Sequence, residues 1–263
     1  MNQEERRRFL IEELLRERLS CRRQEIPADT DRQKVLLRSL MNVRHPGAIS
    51  QRFLEVQDAY LQGELAAKKI TRLSELSPLQ NGIYLWRGDI TTLDCGAIVN
   101  AANSGMTGCY QPCHNCIDNC IHTYAGVQLR LKCAEIMERQ GFEEPTGQAK
   151  ITPAYNLPCD YVIHTVGPIV QGKLTRQHCK LLEFCYRSCL TLADENQVPS
   201  IAFCCISTGV FMFPNDKAAE IAVRTVQEYK AETGSKIEVI FNVFKEQDES
   251  CLLYTSPSPR DMR

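Results

Sequence analysis

A short segment rich in cysteine and histidine is the clearest candidate for chemistry in this sequence. Zinc favours thiolate and imidazole ligands in a tetrahedral shell, and side chains so closely spaced can come from one loop. We predict Cys109, His114 and Cys116 as the ligands, which leaves a fourth position for water or substrate. That open position separates catalytic zinc sites from structural ones. A closed structural site would need a fourth protein ligand, and three nearby side chains could supply it: Cys113, Cys120 and His122.

Two other uses of these cysteines are weaker interpretations. A metal-free set of buried thiols fits poorly, because polar loop residues surround them. A thiol-redox protein would need a Cys-x-x-Cys pair at a helix start, and although Cys113 and Cys116 have that spacing, the segment shows no convincing helix start there. The zinc site therefore remains the leading prediction.

Three further loops follow predicted strands, and each carries side chains that suit a polar ligand. Asp89, behind a glycine turn, could accept a hydrogen bond from an exocyclic amine or a ribose hydroxyl, while Ile90 offers an apolar wall. The carboxamides in residues 100–103 both donate and accept, which suits the hydroxyls of a sugar. Small residues in 207–211 let backbone N–H groups approach a phosphate, and Phe211 could stack on a ring. Each loop alone could be an ordinary turn, but three in one sheet make coincidence less attractive.

These loops belong to an alternation of strands and helices that begins at residue 81. The β-compatible runs are Ile83–Trp86, Ala97–Val99, Ala149–Ile151, Tyr161–Thr165, Ile201–Ile206 and Ile237–Val243. Apolar residues at helical spacing lie between them, with caps predicted at Thr175 and Asn215 and a terminating glycine at Gly141. This pattern predicts an α/β domain over residues 81–250, with a mixed, mostly parallel sheet flanked by helices. Ligands of such sheets bind beyond the carboxyl ends of the strands.

The two ends of the chain differ from this pattern. Residues 1–80 predict a helical N-terminal extension, in which Ser50 is the candidate N-cap of a third helix. Residues 251–263 show neither a helical nor a strand period and resemble translated sequencing-adapter DNA. We therefore expect a non-native tail there and the loss of the native last helix.

Composition and charge argue against a nucleic-acid-binding, membrane-spanning or secreted protein. The chain has 263 residues, and its 31 Lys and Arg nearly balance its 32 Asp and Glu, so net charge gives no drive toward nucleic acid or an anionic membrane. The longest apolar run, Ile201–Ile206, is far too short to span a bilayer. Met1–Arg23 is charged throughout and lacks the apolar core of a secretory signal. With 14 cysteines and no export signal, we expect a cytoplasmic protein with no nucleic-acid or membrane partner.

The motifs together resemble those of macrodomains, and most closely the zinc-containing microbial class of protein-ADP-ribose hydrolases. They occur in the order seen there: Asp89, Asn100–Asn103, the Cys/His loop, His164–Pro168 and Ser207–Phe211. The resemblance covers roughly residues 5–250 and includes the helical extension and the run Gly147–Pro158. It is specific, because the Cys-x4-His-x-Cys loop distinguishes this class from ordinary macrodomains.

The resemblance implies a role for each site. The residues that would contact ADP-ribose are Asp89, Ile90, Asn103, Cys116, Asp118, Ser207, Thr208, Gly209, Val210 and Phe211. Of these, Asp89 and Ile90 would hold the adenine, and 207–211 would cradle the diphosphate and the distal ribose. Asp118 and Asn103 would be the catalytic residues beside that ribose. Zn2+ would lie close by, on its three predicted ligands.

The implied activity is zinc-dependent hydrolysis of the bond between mono-ADP-ribose and a modified protein side chain. Zinc would polarise a ribose hydroxyl or activate water near neutral pH. The alternative is a non-catalytic ADP-ribose reader with a structural zinc, which would bind without turnover. The resemblance further implies an ADP-ribosylated protein as substrate, with a lipoylated carrier protein as a candidate, and a sirtuin-like ADP-ribosyltransferase as functional partner.

Overall fold

Three helices open the chain in the computed structural model, which describes residues 1–18, 25–80 and 82–255. They are α1 (Gln3–Glu17), α2 (Thr30–Val43) and α3 (Gln51–Ala66). Each begins after a residue whose side-chain oxygen accepts a hydrogen bond from a first-turn backbone N–H: Asn2, Asp29 and Ser50. The cap predicted at Ser50 is confirmed.

The three helices form a helical layer with its own apolar core. Leu10, Leu37 and Phe53, one from each helix, are almost fully buried in this core. Val127, from the remainder of the chain, belongs to the same cluster. The layer is therefore packed against the remainder of the chain by apolar contact, as well as by the polar contacts described below.

A mixed, mostly parallel sheet follows. Its seven strands lie in the order β2-β3-β9-β8-β5-β7-β6, and a separate parallel pair joins β1 to β4. The strands are β1 (Thr71–Arg72), β2 (Pro78–Gln80), β3 (Ile83–Arg87), β4 (Leu93–Asp94), β5 (Ala97–Ala102), β6 (Ala149–Pro153), β7 (Tyr161–Val166), β8 (Ser200–Phe203) and β9 (Glu238–Val243). Only the edge strands β2 and β6 of the seven run antiparallel to their neighbours. The predicted fold class is confirmed.

Helices flank this sheet. They are α4 (Ile117–Ala125), α5 (Val127–Gln140), α6 (Arg176–Glu195), α7 (Asn215–Thr233) and α8 (Glu246–Thr255). In the interior strand β5, Ala97, Ile98 and Val99 are all fully buried. Because successive side chains of a strand point to opposite faces, both faces of the sheet are covered.

The predicted helix boundaries agree closely with the structure. Thr175 caps α6 through a capping box, and Gly141 ends α5 in the left-handed conformation that glycine adopts readily. Asn215 is off by one position, since Pro214 is the N-cap of α7 and Asn215 is its first residue.

Three predicted boundaries are wrong by three residues or more. The strand predicted to end at Val99 continues to Ala102, so only Asn103 of the predicted loop 100–103 lies beyond its strand. The apolar run Ile201–Ile206 is a strand only as far as Phe203, because the chain turns away there to form a loop whose backbone departs from the ladder. Residues 251–255, expected to have no regular structure, continue helix α8, and Leu252 is buried against the main core. The origin of the tail stays a prediction, and residues 256–263 lie outside the described part. Within the described residues, no helix is long and apolar enough to cross a membrane.

Candidate functional site

The candidate residues gather at one edge of the sheet. Strands β3, β9, β8, β5 and β7 run parallel, so their carboxyl ends meet on the same side. Three segments leave the sheet at these ends: the turn at Asp89, the loop that starts at Asn103 and the loop over 204–214. The topology therefore brings the three predicted ligand loops to a common edge.

A thiolate and imidazole cluster forms in the loop after β5. The ligand atoms of Cys109, His114 and Cys116 lie within 4.8 Å of one another, and Cys109 Sγ is 3.8 Å from His114 Nδ1. A sulfur and a nitrogen on one tetrahedral zinc ion are about 3.6 Å apart, given the usual bond lengths. The donor set and its spacing therefore fit zinc. We refer to residues 107–116 as the metal loop.

The three alternative fourth ligands are directed elsewhere. The thiol of Cys113 donates to the carbonyl of Val35 at 3.5 Å, and Cys120 Sγ accepts from Arg38 at 3.6 Å. His122 lies in a separate buried group. Among the described residues, the predicted cluster therefore offers three candidate ligands.

Helix α4 begins at this cluster. Cys116 is its N-cap, and its sulfur accepts a hydrogen bond from the backbone N–H of Asn119 at 3.4 Å. Burial raises the pKa of the Cys116 thiol to about 12 in the metal-free chain. The Cys113-x-x-Cys116 pair does therefore end at a helix start, contrary to the sequence interpretation, but the Cys113 thiol is bound to Val35 as described.

Asp118, in the first turn of α4, is buried beside the cluster and is only 5% exposed. Its Oδ1 accepts a hydrogen bond from Asn100 Nδ2 at 2.8 Å, and its Oδ2 accepts one from Asn103 Nδ2 at 3.3 Å. Burial raises the pKa of this carboxyl to about 6, against the opposing effects of both amides and of the Arg130 charge. The two predicted catalytic residues, Asp118 and Asn103, are thus in direct contact.

Asn100 connects this carboxylate to a buried histidine. Its Nδ2 donates one hydrogen to Asp118 and lies 3.1 Å from His164 Nδ1, which must therefore be the acceptor. His164 then carries its proton on Nε2 and donates it to the hydroxyl of Thr152 at 3.0 Å. Burial lowers the pKa of His164 to about 3, so the ring is neutral. Sequence analysis gave His164 no such role, although Asn100 and His164 are direct neighbours in the β5–β7 register.

A second group of potential ligands surrounds this histidine: His122, Cys133 and His164. We assign no metal to it, because both nitrogens of His164 are already used in hydrogen bonds. Both ring nitrogens of His122 lack a hydrogen-bond partner among the described residues, and Nε2 is 3.6 Å from Asp118 Oδ1. Burial holds the pKa of His122 well below its usual range, so it too is neutral.

The turn after β3 presents one side chain to solvent and hides the other. Asp89 Oδ1 accepts from the backbone N–H and the hydroxyl of Thr91, at 3.0 and 2.6 Å. Its Oδ2 is 3.8 Å from Lys68 Nζ, and the side chain is 44% exposed, so it can still reach a ligand. Ile90, predicted as an apolar wall, is only 2% exposed and belongs to the main core. Its side chain is committed to packing, and only its backbone remains for a ligand.

The loop over 204–214 is shaped by local hydrogen bonds. Ser207 has a positive φ of 65°, and its carbonyl accepts from the N–H of Phe213 at 3.0 Å. Thr208 Oγ1 donates to the carbonyl of Cys205 at 3.1 Å. Gly209 is exposed, and a Cβ placed on it would meet nothing within 4 Å. The backbone is therefore open to a ligand at Gly209, as predicted for a phosphate cradle.

The side chains around this open stretch differ in exposure. Val210 is largely exposed, Phe211 is half-buried, and the carbonyl of Phe211 accepts from the N–H of Val170 at 2.8 Å. The 207–211 loop is thus tied to the neighbouring loop after β7.

Phe244 is a candidate that sequence analysis missed. It follows directly on β9 and is 78% exposed. Since Arg87 of β3 pairs with Val243 of β9, Phe244 and Asp89 leave adjacent strands at the same edge. An aromatic residue directly after the last apolar strand was the available signal.

The sequence of this chain is similar to sequences of macrodomain proteins. Residues 99–222 match the Macro domain family. The chain is 63% identical over 254 residues to the protein-ADP-ribose hydrolase of Treponema medium, across 95% of this chain and 97% of the relative. It is 51% identical over 242 residues to the protein-ADP-ribose hydrolase of Staphylococcus aureus strain MRSA252, across 91% of each.

The fold of this chain is also similar to solved structures of macrodomains. The Oceanobacillus iheyensis macrodomain with ADP has a TM-score of 0.61 at 34% identity, over 68% of this chain and 93% of that one. The Trypanosoma brucei macrodomain in complex with ADP-ribose has a TM-score of 0.63 at 29% identity, over 81% and 93%.

Proposed function

Because this chain belongs to the macrodomain family of hydrolases, we propose that it removes mono-ADP-ribose from modified protein side chains, with zinc held by Cys109, His114 and Cys116. The observation that carries this proposal is the start of α4. There the N-cap Cys116 is a predicted metal ligand, and Asp118, two residues later, is a buried carboxylate. Metal and base would thus act on the same part of a ligand.

The sheet edge supplies a place for each part of ADP-ribose. Asp89 would accept a hydrogen bond from the exocyclic amine of the adenine, and Phe244 would stack on its ring. The open backbone at Gly209, in a loop that leads into helix α7, suits the diphosphate, since helix starts favour anions. The amide of Asn103 would orient the distal ribose beside Asp118.

The reaction breaks the bond between C1″ of the distal ribose and the modified side chain, and water adds to C1″. Asp118, with a pKa of about 6, is mostly ionised at neutral pH and would accept the proton of the attacking water. Asn100 and Asn103 hold its two oxygens in place. When bound, zinc would supply Lewis-acid polarisation near the ribose. The leaving side chain regains a proton, so that ADP-ribose and the unmodified protein are released.

The substrate is proposed to be an ADP-ribosylated protein. A lipoylated carrier protein is the more specific candidate, and a sirtuin-like ADP-ribosyltransferase the enzyme that would modify it. These two proposals rest on the resemblance alone. A cytoplasmic location is also a proposal, and it rests on the cysteine content.

Release of ADP-ribose from a modified protein tests the proposal, together with the metal content of the purified chain. We expect about one zinc per chain, and a loss of turnover of at least 100-fold for Asp118→Asn, in the range that general-base catalysis contributes. Cys116→Ala should lose both zinc and turnover. Cys113→Ala and Cys120→Ala are matched controls, because both thiols are bound elsewhere, and they should keep both.

Several results would contradict the proposal. Full activity in chelator-treated, zinc-free protein would refute zinc dependence while leaving the hydrolase in place. Tight ADP-ribose binding without turnover would identify a reader instead. Loss of zinc in Cys113→Ala or Cys120→Ala would indicate a closed, four-ligand structural site.

A further inference from the structure

The metal loop has little regular structure of its own. Residues 107–116 contain neither helix nor strand, and a single backbone hydrogen bond joins two of its members, from His114 N–H to the Gln111 carbonyl at 3.3 Å. Zinc ligands need fixed positions, which neighbouring groups usually enforce. Side chains from neighbouring helices must therefore hold this loop.

Asn42, in the last turn of α2, makes one of these contacts. It is only 1% exposed, and its Oδ1 accepts a hydrogen bond from the N–H of Cys113 at 2.9 Å. Its Nδ2 donates to the hydroxyl of Thr123 in α4, also at 2.9 Å. Cys113 has a positive φ of 52° and immediately precedes the ligand His114, so Asn42 fixes a strained residue beside a ligand.

Arg38, one turn earlier in α2, makes a second contact. Its Nη2 donates to the carbonyl of His114 at 2.8 Å and to Oδ1 of Asn119 at 3.0 Å. The amide of Asn119 in turn donates to the carbonyls of Cys109 and Gln111, at 3.3 and 3.0 Å. Through this chain of bonds α2 reaches the backbone of two of the three ligands.

Arg130, from α5, joins the end of α2 to the beginning of the loop. Its Nη1 donates to the carbonyls of Met41, Asn42 and Arg44, and its Nε donates to the carbonyl of Thr107 at 2.7 Å. Asn42 is thereby held in position while it holds Cys113.

We infer that Asn42 and Arg38 of the N-terminal helical layer are positioning residues for the metal loop. This inference rests on the zinc site proposed above. The layer would therefore serve the site directly, by fixing the backbone of Cys109, Cys113 and His114 before the metal arrives. Loss of a residue that orients metal ligands typically costs 10- to 100-fold in metal affinity.

Asn42→Ala and Arg38→Met test this inference, with Gln33→Ala as the matched control. Gln33 is on the same helix and is buried like Asn42. Among the described residues its side chain bonds to Arg7 at 2.9 Å and to the Pro27 carbonyl at 2.7 Å, and it makes no hydrogen bond to the metal loop. We expect zinc transfer to a chromophoric chelator to be about tenfold faster in both test variants and unchanged in the control.

Hydrogen–deuterium exchange of the metal loop in zinc-free protein is the second readout. We expect the amides of 109–116 to exchange about tenfold faster in Asn42→Ala and Arg38→Met than in wild type and Gln33→Ala. If wild type binds no zinc, the zinc proposal fails, but this exchange still decides whether α2 orders the loop. Unchanged zinc transfer in both test variants, unchanged exchange, or an equal effect of Gln33→Ala would overturn the inference.

Discussion

Acidification should destabilise this protein through His164, whose ring is buried and neutral. Burial lowers the pKa of His164 from 6.5 to about 3. Protonation therefore favours the unfolded chain, so the contribution to stability is complete above pH 6.5 and is lost as the pH falls toward 3. Between pH 7 and pH 5 the free energy of unfolding should fall by about 2 kcal/mol from this ring alone. The raised pKa of Asp118 acts in the opposite sense, since it favours the folded state at low pH.

The comparison of wild type with His164→Gln separates these effects. Urea unfolding at a series of pH values measures the free energy of unfolding. Between pH 7 and pH 5 this free energy should fall by about 2 kcal/mol less in the variant than in wild type. In NMR spectra of the five histidines, the resonance missing from the variant identifies His164. That resonance should not titrate in folded protein above about pH 4. A titration near pH 6.5 would refute both the burial argument and the assigned tautomer.

Two further predictions concern the ligand loops. Asp89→Asn keeps an oxygen that can accept from the backbone N–H of Thr91 but removes the negative charge. KM for the modified protein should therefore rise about tenfold, with kcat little changed. Steady-state kinetics measure both constants, and a fall in kcat at constant KM would contradict this prediction. Gly209→Ala should leave the free energy of unfolding within about 0.5 kcal/mol of wild type, because its Cβ meets nothing, yet weaken ADP-ribose binding in calorimetry. Gly167→Ala is the contrasting variant, since its Cβ would lie 2.1 Å from Ser207 Oγ and 2.8 Å from Ile206 Cγ2, and it should destabilise the fold by about 1–3 kcal/mol. Equal stability of the two glycine variants would show that the 207–211 loop does not pack against Gly167 as described.

Sequence reasoning succeeded where local pattern decides structure. The mostly parallel sheet, the caps at Ser50 and Thr175 and the proximity of Cys109, His114 and Cys116 follow from periodicity, cap chemistry and close spacing. It failed where contacts join distant parts of the chain. Asn42 reaches Cys113 across 71 positions, and no local pattern marks such a pair. The apolar run through Ile206 was likewise read as one strand, although hydrophobicity alone cannot show where a buried strand leaves its ladder.

Helix α8 continues past Ser250 for a different physical reason. The segment lacks helical periodicity, but helix α8 is already established from Glu246, and one apolar side chain, Leu252, reaches the core. Adding residues to an existing helix is much easier than nucleating one, so weak periodicity does not prevent the extension.

The two reactive groups of the site are supported in different ways. Asp118, in α4, is held by Asn100 from β5 and by Asn103 directly after that strand. Apolar residues of both α4 and β5 belong to the main core. The proposed metal ligands lie in a loop that is tied down by side chains from the helical layer, from α4 and from α5. The carboxylate therefore depends on the sheet for its position, whereas the proposed metal ligands depend in part on a separate layer with its own core. With the proposed zinc bound, a change in the packing of that layer would alter metal retention while Asp118 and its amide partners stay in place. Mutation would then separate the two proposed contributions to hydrolysis.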